Sequence, residues 1–211
     1  MSGDSDRQLP TVVLVTDPMC SWCWGMAPDF KDVLAEFAGQ IHFDLMLGGI
    51  NPTSTQPIGD YGRRFLNRLW QDVTATTQVK FGQLPEQDYV HNSTAPCLVL
   101  QAAREVSGTV PFDLLYKMQE AFCLHGVAIS DQAHALQVAA DHGFDKDELD
   151  ALMVSTKVRE QLKFQFANAR SFGTDALPSL IWKNADNENF RLLAGGYVNA
   201  DMFAELVKPI L

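Results

Sequence analysis

The sequence predicts an α/β fold in which a mixed sheet is divided by an inserted block of helices. Strand-like segments lie near both ends of the chain, at 11–16 and 41–47 and again at 179–182 and 190–193. The stretch between them, from about Tyr61 to Phe172, has helical periodicity instead. A chain of 211 residues that is 46% hydrophobic and 20% charged can bury a substantial core as one or two domains.

The first part of the chain predicts a βαβ unit. Val12–Val15 is typical of a fully buried strand, and the alternating apolar residues of 41–47 predict a second strand that ends at Gly48-Gly49. The segment between them places apolar residues three and four positions apart, which gives one helical face: Ala27, Phe30, Leu34 and Phe37. The two strands should therefore be parallel, with a right-handed crossover.

The middle of the chain predicts a loop followed by several helices. Asn51-Pro52, Pro57 and Gly59 make 51–60 a breaker-rich stretch and a candidate domain boundary. Three helical faces follow, formed by Phe65, Leu69 and Trp70, by Leu98, Ala102 and Val106, and by Phe112, Leu115, Met118, Ala121 and Phe122. Ser130 is the candidate N-cap of a helix that ends near Gly143, and Asp145 with Glu148 forms a capping box that opens the next helix.

The last part of the chain returns to strands. Residues 179–182 and 190–193 flank the polar stretch 184–189, a pattern that predicts a hairpin, and a terminal helix is expected over Asp201–Leu211. The sheet domain should thus be discontinuous, comprising 9–53 and 166–211, with residues 54–165 forming an inserted all-helical domain.

Cys20-Ser21-Trp22-Cys23, directly after the first strand, is the candidate functional motif. A strand that leads straight into a helix puts Cys20 at the helix N-terminus, where unpaired N–H groups and the macrodipole favour thiolate over thiol. Cys20 is therefore a predicted nucleophile. The alternative is half of a zinc site, which normally needs four ligands. Cys97 and Cys123 are isolated cysteines, and neither belongs to a second Cys-x-x-Cys. The five histidines show no spacing typical of metal ligands, so we expect no metal.

Charge and hydropathy exclude several classes of partner. A net charge of −10 without a clustered basic segment argues against nucleic acid and against an anionic membrane surface. The uncharged apolar runs are too short to span a membrane. The segment Met1–Asp6 is polar and acidic, unlike a secretory signal, so we expect a cytoplasmic protein.

Two prolines make the resemblance to a known family specific. Pro28 lies five residues after Cys23, inside the predicted helix, where proline costs about 3 kcal/mol. The thioredoxin fold has a kinking proline at this offset, and Leu177-Pro178 before a strand resembles its cis-proline loop. An inserted helical domain is the mark of the DsbA branch. The run 17–25, with Gly48-Gly49 after the second strand, resembles the cytosolic FrnE-like DsbA relatives.

The resemblance implies thiol–disulfide oxidoreductase or isomerase activity on protein substrates, of the protein disulfide isomerase kind. Cys20 would form a mixed disulfide that Cys23 resolves, with no cofactor beyond this redox pair. Leu177 and Pro178 would face the cysteines and present the Leu177 backbone to an extended substrate. Glutathione is a candidate co-substrate, and glutathione or a thioredoxin-type reductant is a candidate recycling partner.

Neighbours of the motif have further expected roles. Trp22 is expected to be exposed and to contact substrates, or else to be an incidental surface aromatic while Trp24 packs in the core. Asp17 is close enough to tune Cys20, although a carboxylate at a strand end before proline is more often a turn or cap residue. Cys97 and Cys123 are expected to be core residues, with a second disulfide as the alternative.

Two departures from better-known relatives leave the direction of electron flow open. The position six residues before Cys20, acidic in DsbA and thioredoxin, is Leu14 here. The histidine between the cysteines of DsbA is replaced by Ser21-Trp22, which removes a cation that stabilises the thiolate. The oxidase direction is therefore the least supported.

Two other functions share this architecture. The first is that of the glutathione-dependent 2-hydroxychromene-2-carboxylate isomerases and kappa-class glutathione transferases, which usually carry serine where Cys20 stands and lack the second thiol. The second is that of a non-enzymatic, DsbA-like protease adaptor, which acts by protein contact.

Overall fold

The four strands form one mixed sheet in the order β2-β1-β3-β4. A computed structural model describes residues 9–183 and 189–211. The strands are β1 (Thr11–Thr16), β2 (His42–Leu47), β3 (Ser179–Lys183) and β4 (Phe190–Gly195). The predicted polar turn falls, apart from Asn189, on residues outside the described part of the chain.

The strand pairings join the two ends of the sequence. β1 and β2 are parallel and are connected by α1 (Ser21–Glu36), as the βαβ prediction required. β3 pairs antiparallel with both β1 and β4. Leu14 consequently lies between Leu45 on one side and Leu180 on the other.

Helices separate the two halves of the sheet in sequence, as predicted. Between β2 and β3 lie α2 (Gly59–Thr77), α3 (Thr94–Ser107), α4 (Phe112–Cys123), α5 (Gln132–Asp141), α6 (Lys146–Met153) and α7 (Thr156–Asn168). After β4 comes α8 (Ala200–Val207), shorter than the expected 201–211.

The helix starts test the capping predictions. Asp145 caps α6 by accepting from the Glu148 N–H at 2.8 Å, as expected. The N-cap of α5 is Asp131, so the prediction of Ser130 was wrong by one residue. The Asp131 carboxylate accepts from the N–H groups of both Ala133 and His134, and a serine hydroxyl is a weaker acceptor for two donors.

Alternate residues of β1 pack on opposite faces of the sheet. Val12 and Leu14 contact the apolar side of α1 and α8, including Phe30 and Phe203. Val13 and Val15 face the other way and form a smaller cluster with Ile181. This two-sided burial explains why β1 is a continuous apolar run.

The largest apolar cluster spans the helical block and the edge of the sheet. Most of its members come from α2 to α7, but Met19 and the β2 residues Leu45 and Leu47 belong to it as well. The sheet and the helices therefore share a core, and the exact domain boundaries stay a prediction. Within the described part of the chain, no helix has both the length and the hydropathy required to cross a bilayer.

Candidate active site

Cys20 occupies the N-cap position of α1. Its backbone is extended (φ −82°, ψ 119°), and its Sγ accepts from the Cys23 N–H with an N-to-Sγ distance of 3.3 Å. The N–H groups of a first helical turn point outward along the axis, so negative charge on this sulfur lies at the positive end of the helix. The Cys20 N–H in turn donates to the Asp17 carbonyl at 3.2 Å, which fixes the turn before the helix.

Cys23 lies one turn further into α1 and is buried among apolar side chains. Burial raises the pKa of the Cys23 thiol well above its usual value, and the Cys20 sulfur raises it further through a hydrogen bond and charge repulsion. A hydrogen bond with the Thr16 hydroxyl lowers the pKa of Cys23, but by less than burial and the Cys20 sulfur raise it. Cys23 therefore keeps its proton at neutral pH, while Cys20 forms part of the wall of an open cavity.

The Leu177-Pro178 peptide bond is cis and lies against Cys20. The Cys20 thiol donates to the Leu177 carbonyl oxygen over 3.6 Å. Pro178 is buried and its own carbonyl accepts from the Gly196 N–H at 2.8 Å, which anchors the loop to the end of β4. Two segments that are far apart in sequence thus meet at one sulfur atom.

The glycine pair after β2 makes room for this loop. A Cβ at Gly48 would lie 2.7 Å from Cδ1 of Leu177, and Gly49 has φ +70°, a conformation that other residues rarely adopt. The Arg170 guanidinium donates to the carbonyl oxygens of Gly48 at 2.8 Å and Gly49 at 2.9 Å. The glycines and Arg170 together position Leu177 beside Cys20.

The two tryptophans near the motif are both half-buried. Trp22 lines the same cavity as Cys20, with its ring centroid 6.4 Å from that of Tyr197, so its side chain is less exposed than expected. Trp24 packs against the large apolar cluster, and its Nε1 donates to the Lys80 carbonyl at 3.0 Å. Pro28 lies inside α1, as predicted.

Asp17 is fully buried behind the motif and joins three segments. Its carboxylate accepts from the Met19 N–H at 2.8 Å, the Ile50 N–H at 3.0 Å and the Ser93 hydroxyl at 2.5 Å. This is the turn-capping role that sequence reasoning preferred. Burial raises the pKa of Asp17, although these hydrogen bonds partly offset the rise. An influence of Asp17 on the reactivity of Cys20 stays a prediction.

Cys97 and Cys123 are fully buried free thiols. Cys97 Sγ lies 3.8 Å from the Asp17 carboxylate, and burial raises the pKa of both thiols well above the usual value. Buried protonated thiols react slowly. Across 9–183 and 189–211, no three histidine, cysteine or acidic side chains come together in a way that could hold a metal ion.

A cavity of about 470 Å³ opens beside Cys20, between the start of α1, the loop 50–58 and α2. Two of its wall residues, His91 and Phe65, were not predicted as site residues. Phe65 lies on the predicted helix with Leu69 and Trp70, and its side chain is 59% exposed. No local signal identifies these walls, because the cavity forms only when separate segments meet.

His91 is the titratable side chain of this cavity besides Cys20. Burial lowers the pKa of His91 to about 4, so its imidazole is neutral at neutral pH. Its Nδ1 atom is buried without a hydrogen-bond partner in the described part of the chain. Its ring packs against those of Tyr89 and Phe122.

The fold and the Cys20 geometry together define a thioredoxin-type site. The chain belongs to the thioredoxin family, since a family model described as thioredoxin matches residues 14–205. The predicted fold class, a thioredoxin fold with a DsbA-like helical insertion, is confirmed by solved structures. A Nitrosomonas europaea protein, proposed to be a protein disulfide isomerase, has 20% identity and a TM-score of 0.86, with 96% of this chain and 97% of that chain covered.

Two other proteins are also similar to this chain. The cytosolic disulfide reductase DsbM from Pseudomonas aeruginosa is 22% identical, with a TM-score of 0.78 over 95% of this chain and 98% of that one, and a second DsbM structure contains GSH. The ClpXP adapter protein SpxH from Shouchella clausii is 21% identical over 100% of this chain and 72% of its own length. Membership of the FrnE-like cytosolic branch stays a prediction.

Proposed function

We propose that this protein is a thiol–disulfide oxidoreductase or isomerase that acts on protein substrates. The observation that carries the proposal is the position of the Cys20 sulfur, which accepts the Cys23 N–H at the N-terminus of α1 and also faces the Leu177 carbonyl. Cys20 is 6% exposed and borders the cavity, so a disulfide that enters the cavity can approach its sulfur.

The exchange begins with attack of the Cys20 thiolate on one sulfur of a substrate disulfide. That S–S bond breaks, the leaving sulfur takes a proton, and a mixed disulfide joins Cys20 to the substrate. Cys23 then loses its proton and attacks the Cys20 sulfur, which releases the second substrate thiol. Two electrons and two protons pass from the cysteine pair to the substrate. In isomerisation, a second substrate cysteine attacks the mixed disulfide, and no net electrons are transferred.

The division of roles follows from burial. Cys23 is held as a thiol, so it does not compete with Cys20 for the first attack. It lies close enough to hydrogen-bond the Cys20 sulfur, so it can resolve the mixed disulfide without a large movement of the chain. We assign the catalytic roles to Cys20 and Cys23 on this basis.

Substrate contacts are proposed for the residues that surround the Cys20 sulfur. The Leu177 backbone, held by Pro178, is placed to pair with an extended substrate segment. Trp22 supplies an apolar surface in the cavity wall. Glutathione or a thioredoxin-type protein would re-reduce the oxidised pair, and the DsbM structure with GSH supports the first of these. A cytoplasmic location agrees with the description of DsbM as cytosolic.

A turnover assay tests the proposal. Wild type should catalyse insulin reduction by glutathione or refolding of scrambled ribonuclease. Cys20→Ser should lose both activities, whereas Cys23→Ser should lose insulin reduction and keep ribonuclease refolding, because isomerisation does not use Cys23. Cys123→Ala is the matched control, because it removes a fully buried thiol and should retain turnover. A wild type that is inactive in both assays, with the cysteine variants equal to it, would refute the proposal.

Protein contact without catalysis is the second candidate function. The match to the SpxH adapter, which covers 100% of this chain and 72% of the adapter, favours it, and the net charge of −10 suits recognition of a basic partner. A double variant, Cys20→Ser with Cys23→Ser, separates the two functions. If the double variant retains the cellular phenotype of wild type, the adaptor function is supported over the enzyme.

The glutathione-dependent isomerase or transferase class is less well supported. Its members usually carry serine at the position of Cys20, whereas this chain has two thiols at the start of α1. Calorimetry with reduced glutathione tests this class, because a transferase or isomerase of this kind must bind glutathione, and the absence of binding would remove it.

A further inference from the structure

A buried hydrogen bond joins the first turn of α1 to the inserted helix α2. The Trp70 Nε1 atom donates to the Ser21 Oγ atom at 3.0 Å, and both residues are 4% exposed. Ser21 directly follows Cys20 and lies between the two cysteines of the motif. The helical insertion therefore contacts the redox motif itself, through a side chain that no step of the exchange described above uses.

The close packing of α1 on α2 fixes this contact. Gly25 lies one helical turn after Ser21, and a Cβ at Gly25 would lie 2.6 Å from Val73 Cγ1 and 3.1 Å from Thr77 Cγ2. Trp70, Val73 and Thr77 are spaced three and four residues apart, so they share one face of α2. The same face of α2 that packs on Gly25 thus presents the Trp70 indole to Ser21.

The Trp70 ring is held in its orientation by two phenylalanines. Its centroid lies 4.8 Å from that of Phe81 in a stacked arrangement and 6.0 Å from that of Phe122 in an edge-to-face arrangement. Aromatic pairs with this geometry are stabilising beyond the area that they bury. A ring that packs on two sides cannot turn its N–H away from Ser21 without losing these contacts.

The donor and the acceptor in this bond are chemically unambiguous. An indole N–H only donates, so the Ser21 oxygen accepts and the hydroxyl proton of Ser21 points elsewhere. Ser21 and Cys20 line the same cavity. Hydrogen bonds in a chain polarise one another, so a hydroxyl that accepts from Trp70 is a stronger donor to a neighbouring negative charge.

We propose that Trp70 is a positioning residue, which acts through the Ser21 hydroxyl to stabilise negative charge on the Cys20 sulfur. The inference rests on the proposed function, in which Cys20 attacks as a thiolate. Two neutral donors then act on that sulfur: the Cys23 N–H, at 3.3 Å, and the Ser21 hydroxyl, which α2 orients. The inserted helices thereby contribute to the chemistry of the cysteine pair.

Alkylation of the reduced protein tests the proposal without a disulfide substrate. Iodoacetamide reacts with the thiolate, and mass spectrometry of the Cys20 peptide follows its modification over a series of pH values. Trp70→Phe removes the N–H and keeps an aromatic ring against Phe81 and Phe122. Where the wild-type rate still rises with pH, the variant should react about two- to tenfold more slowly, which is the effect of one hydrogen bond. At high pH, where the thiolate is fully formed in both proteins, the two rates should converge.

Ser21→Ala removes the other partner of the bond and should slow alkylation at least as much. The double variant, Ser21→Ala with Trp70→Phe, should be no slower than Ser21→Ala alone, because Trp70 acts only through that hydroxyl. Trp24→Phe is the matched control. The Trp24 Nε1 atom also donates at 3.0 Å, to the Lys80 carbonyl in the segment after α2, but this bond does not end in the motif. Trp24→Phe should therefore keep the wild-type alkylation profile.

A purely structural bond between Trp70 and Ser21 gives a different result. If Trp70→Phe and Ser21→Ala lower the unfolding free energy in urea but keep the wild-type alkylation profile, the bond only holds α1 against α2 and the inference is overturned. Losses that multiply in the double variant, or an equal loss in Trp24→Phe, would overturn it as well. Ser21→Ala, which removes a single oxygen atom, decides the test if Trp70→Phe does not fold. A wild type that exchanges with no disulfide refutes the proposed function, whereas alkylation alone decides the inference.

Discussion

The Cys20 and Cys23 sulfur atoms have different surroundings, although only two residues separate them. The Cys20 sulfur lies at the helix N-terminus, accepts an N–H and borders the cavity. The Cys23 sulfur lies within the core, where burial raises the pKa of its thiol. The asymmetry comes from position along one helix turn, which the spacing of the motif sets.

His91 gives a residue-scale prediction about pH. Burial lowers the pKa of His91 to about 4 from an ordinary value of about 6.5. The unfolded state therefore binds a proton more readily, so the stability that His91 contributes is present above pH 6.5 and is lost as the pH falls towards 4. One pKa unit corresponds to 1.36 kcal/mol, so the unfolding free energy falls by about 3 kcal/mol at most.

Urea unfolding at a series of pH values measures this effect. As the pH is lowered from 7 to 4, the unfolding free energy of wild type should fall by more than that of His91→Phe. His142→Gln is the control, because His142 is exposed, and its pH profile should follow that of wild type. Parallel profiles for wild type and His91→Phe would contradict the account of a buried neutral imidazole.

Sequence reasoning at the residue scale succeeded where the signal was local. The Cys20 and Cys23 pair, the Asp145 cap and Pro28 could all be recognised from their immediate neighbours. His91 could not be predicted, because it lines the same cavity as Cys20 only when segments far apart in sequence come together. The error at Ser130 has a local origin, because two adjacent polar residues can each cap the helix and the Asp131 carboxylate accepts from two N–H groups.

At the scale of elements, the loop after β2 controls the position of the cis-proline loop. Gly48 has no side chain, and the Leu177 side chain occupies the space where a Cβ would lie. The contact between the two segments could be predicted only by resemblance to a known fold, because neither segment carries a local signal that indicates it. The strands and α1 were predictable from periodicity alone, since each buries a regular set of side chains.

A double-mutant cycle tests this contact. Gly48→Ala should destabilise the protein by about 1–3 kcal/mol and slow the reaction of Cys20, because the new methyl group displaces Leu177. Leu177→Ala removes the atoms that clash, so Gly48→Ala should cost much less in a Leu177→Ala background. Urea unfolding of the four proteins measures the coupling, and strictly additive free energies would show that the two residues do not interact.

At the scale of the whole molecule, the sheet and the inserted helices share one apolar cluster. Leu45 and Leu47 on β2 pack into the core that α2 to α7 form, and α7 supplies Gln165, whose side-chain oxygen accepts from the Leu47 N–H at 2.9 Å. The composition predicted one or two domains without deciding between them. Because this cluster joins the sheet to the helices, we expect them to unfold as a single unit, although β1 also packs in a separate cluster with α1 and α8.

Single-tryptophan variants measure this cooperativity. Trp70 reports on α2 and Trp182 reports on β3, so variants that keep one of them, with the other three tryptophans replaced by phenylalanine, follow the helices and the sheet separately. We expect the two fluorescence transitions in urea to coincide with each other and with the loss of helical circular dichroism. Two separated transitions would indicate independent domains.

The net charge of −10 belongs to the same scale. Repulsion between the acidic side chains and the phosphates opposes binding to nucleic acid, whereas a basic or partly unfolded protein can approach. This charge does not choose between an enzyme and an adaptor, since both act on proteins. The choice depends on whether Cys20 forms a covalent bond with its partner.

Trapping of the mixed disulfide is therefore the most direct measurement. Cys23→Ser, incubated with a disulfide-bonded protein and analysed by mass spectrometry after alkylation, should accumulate a covalent adduct on Cys20, because the resolving thiol is absent. Cys20→Ser should form no such adduct under the same conditions. An adduct on Cys23 of the Cys20→Ser variant in equal yield, or no adduct on Cys20 of the Cys23→Ser variant, would contradict the assignment of Cys20 as the attacking thiol.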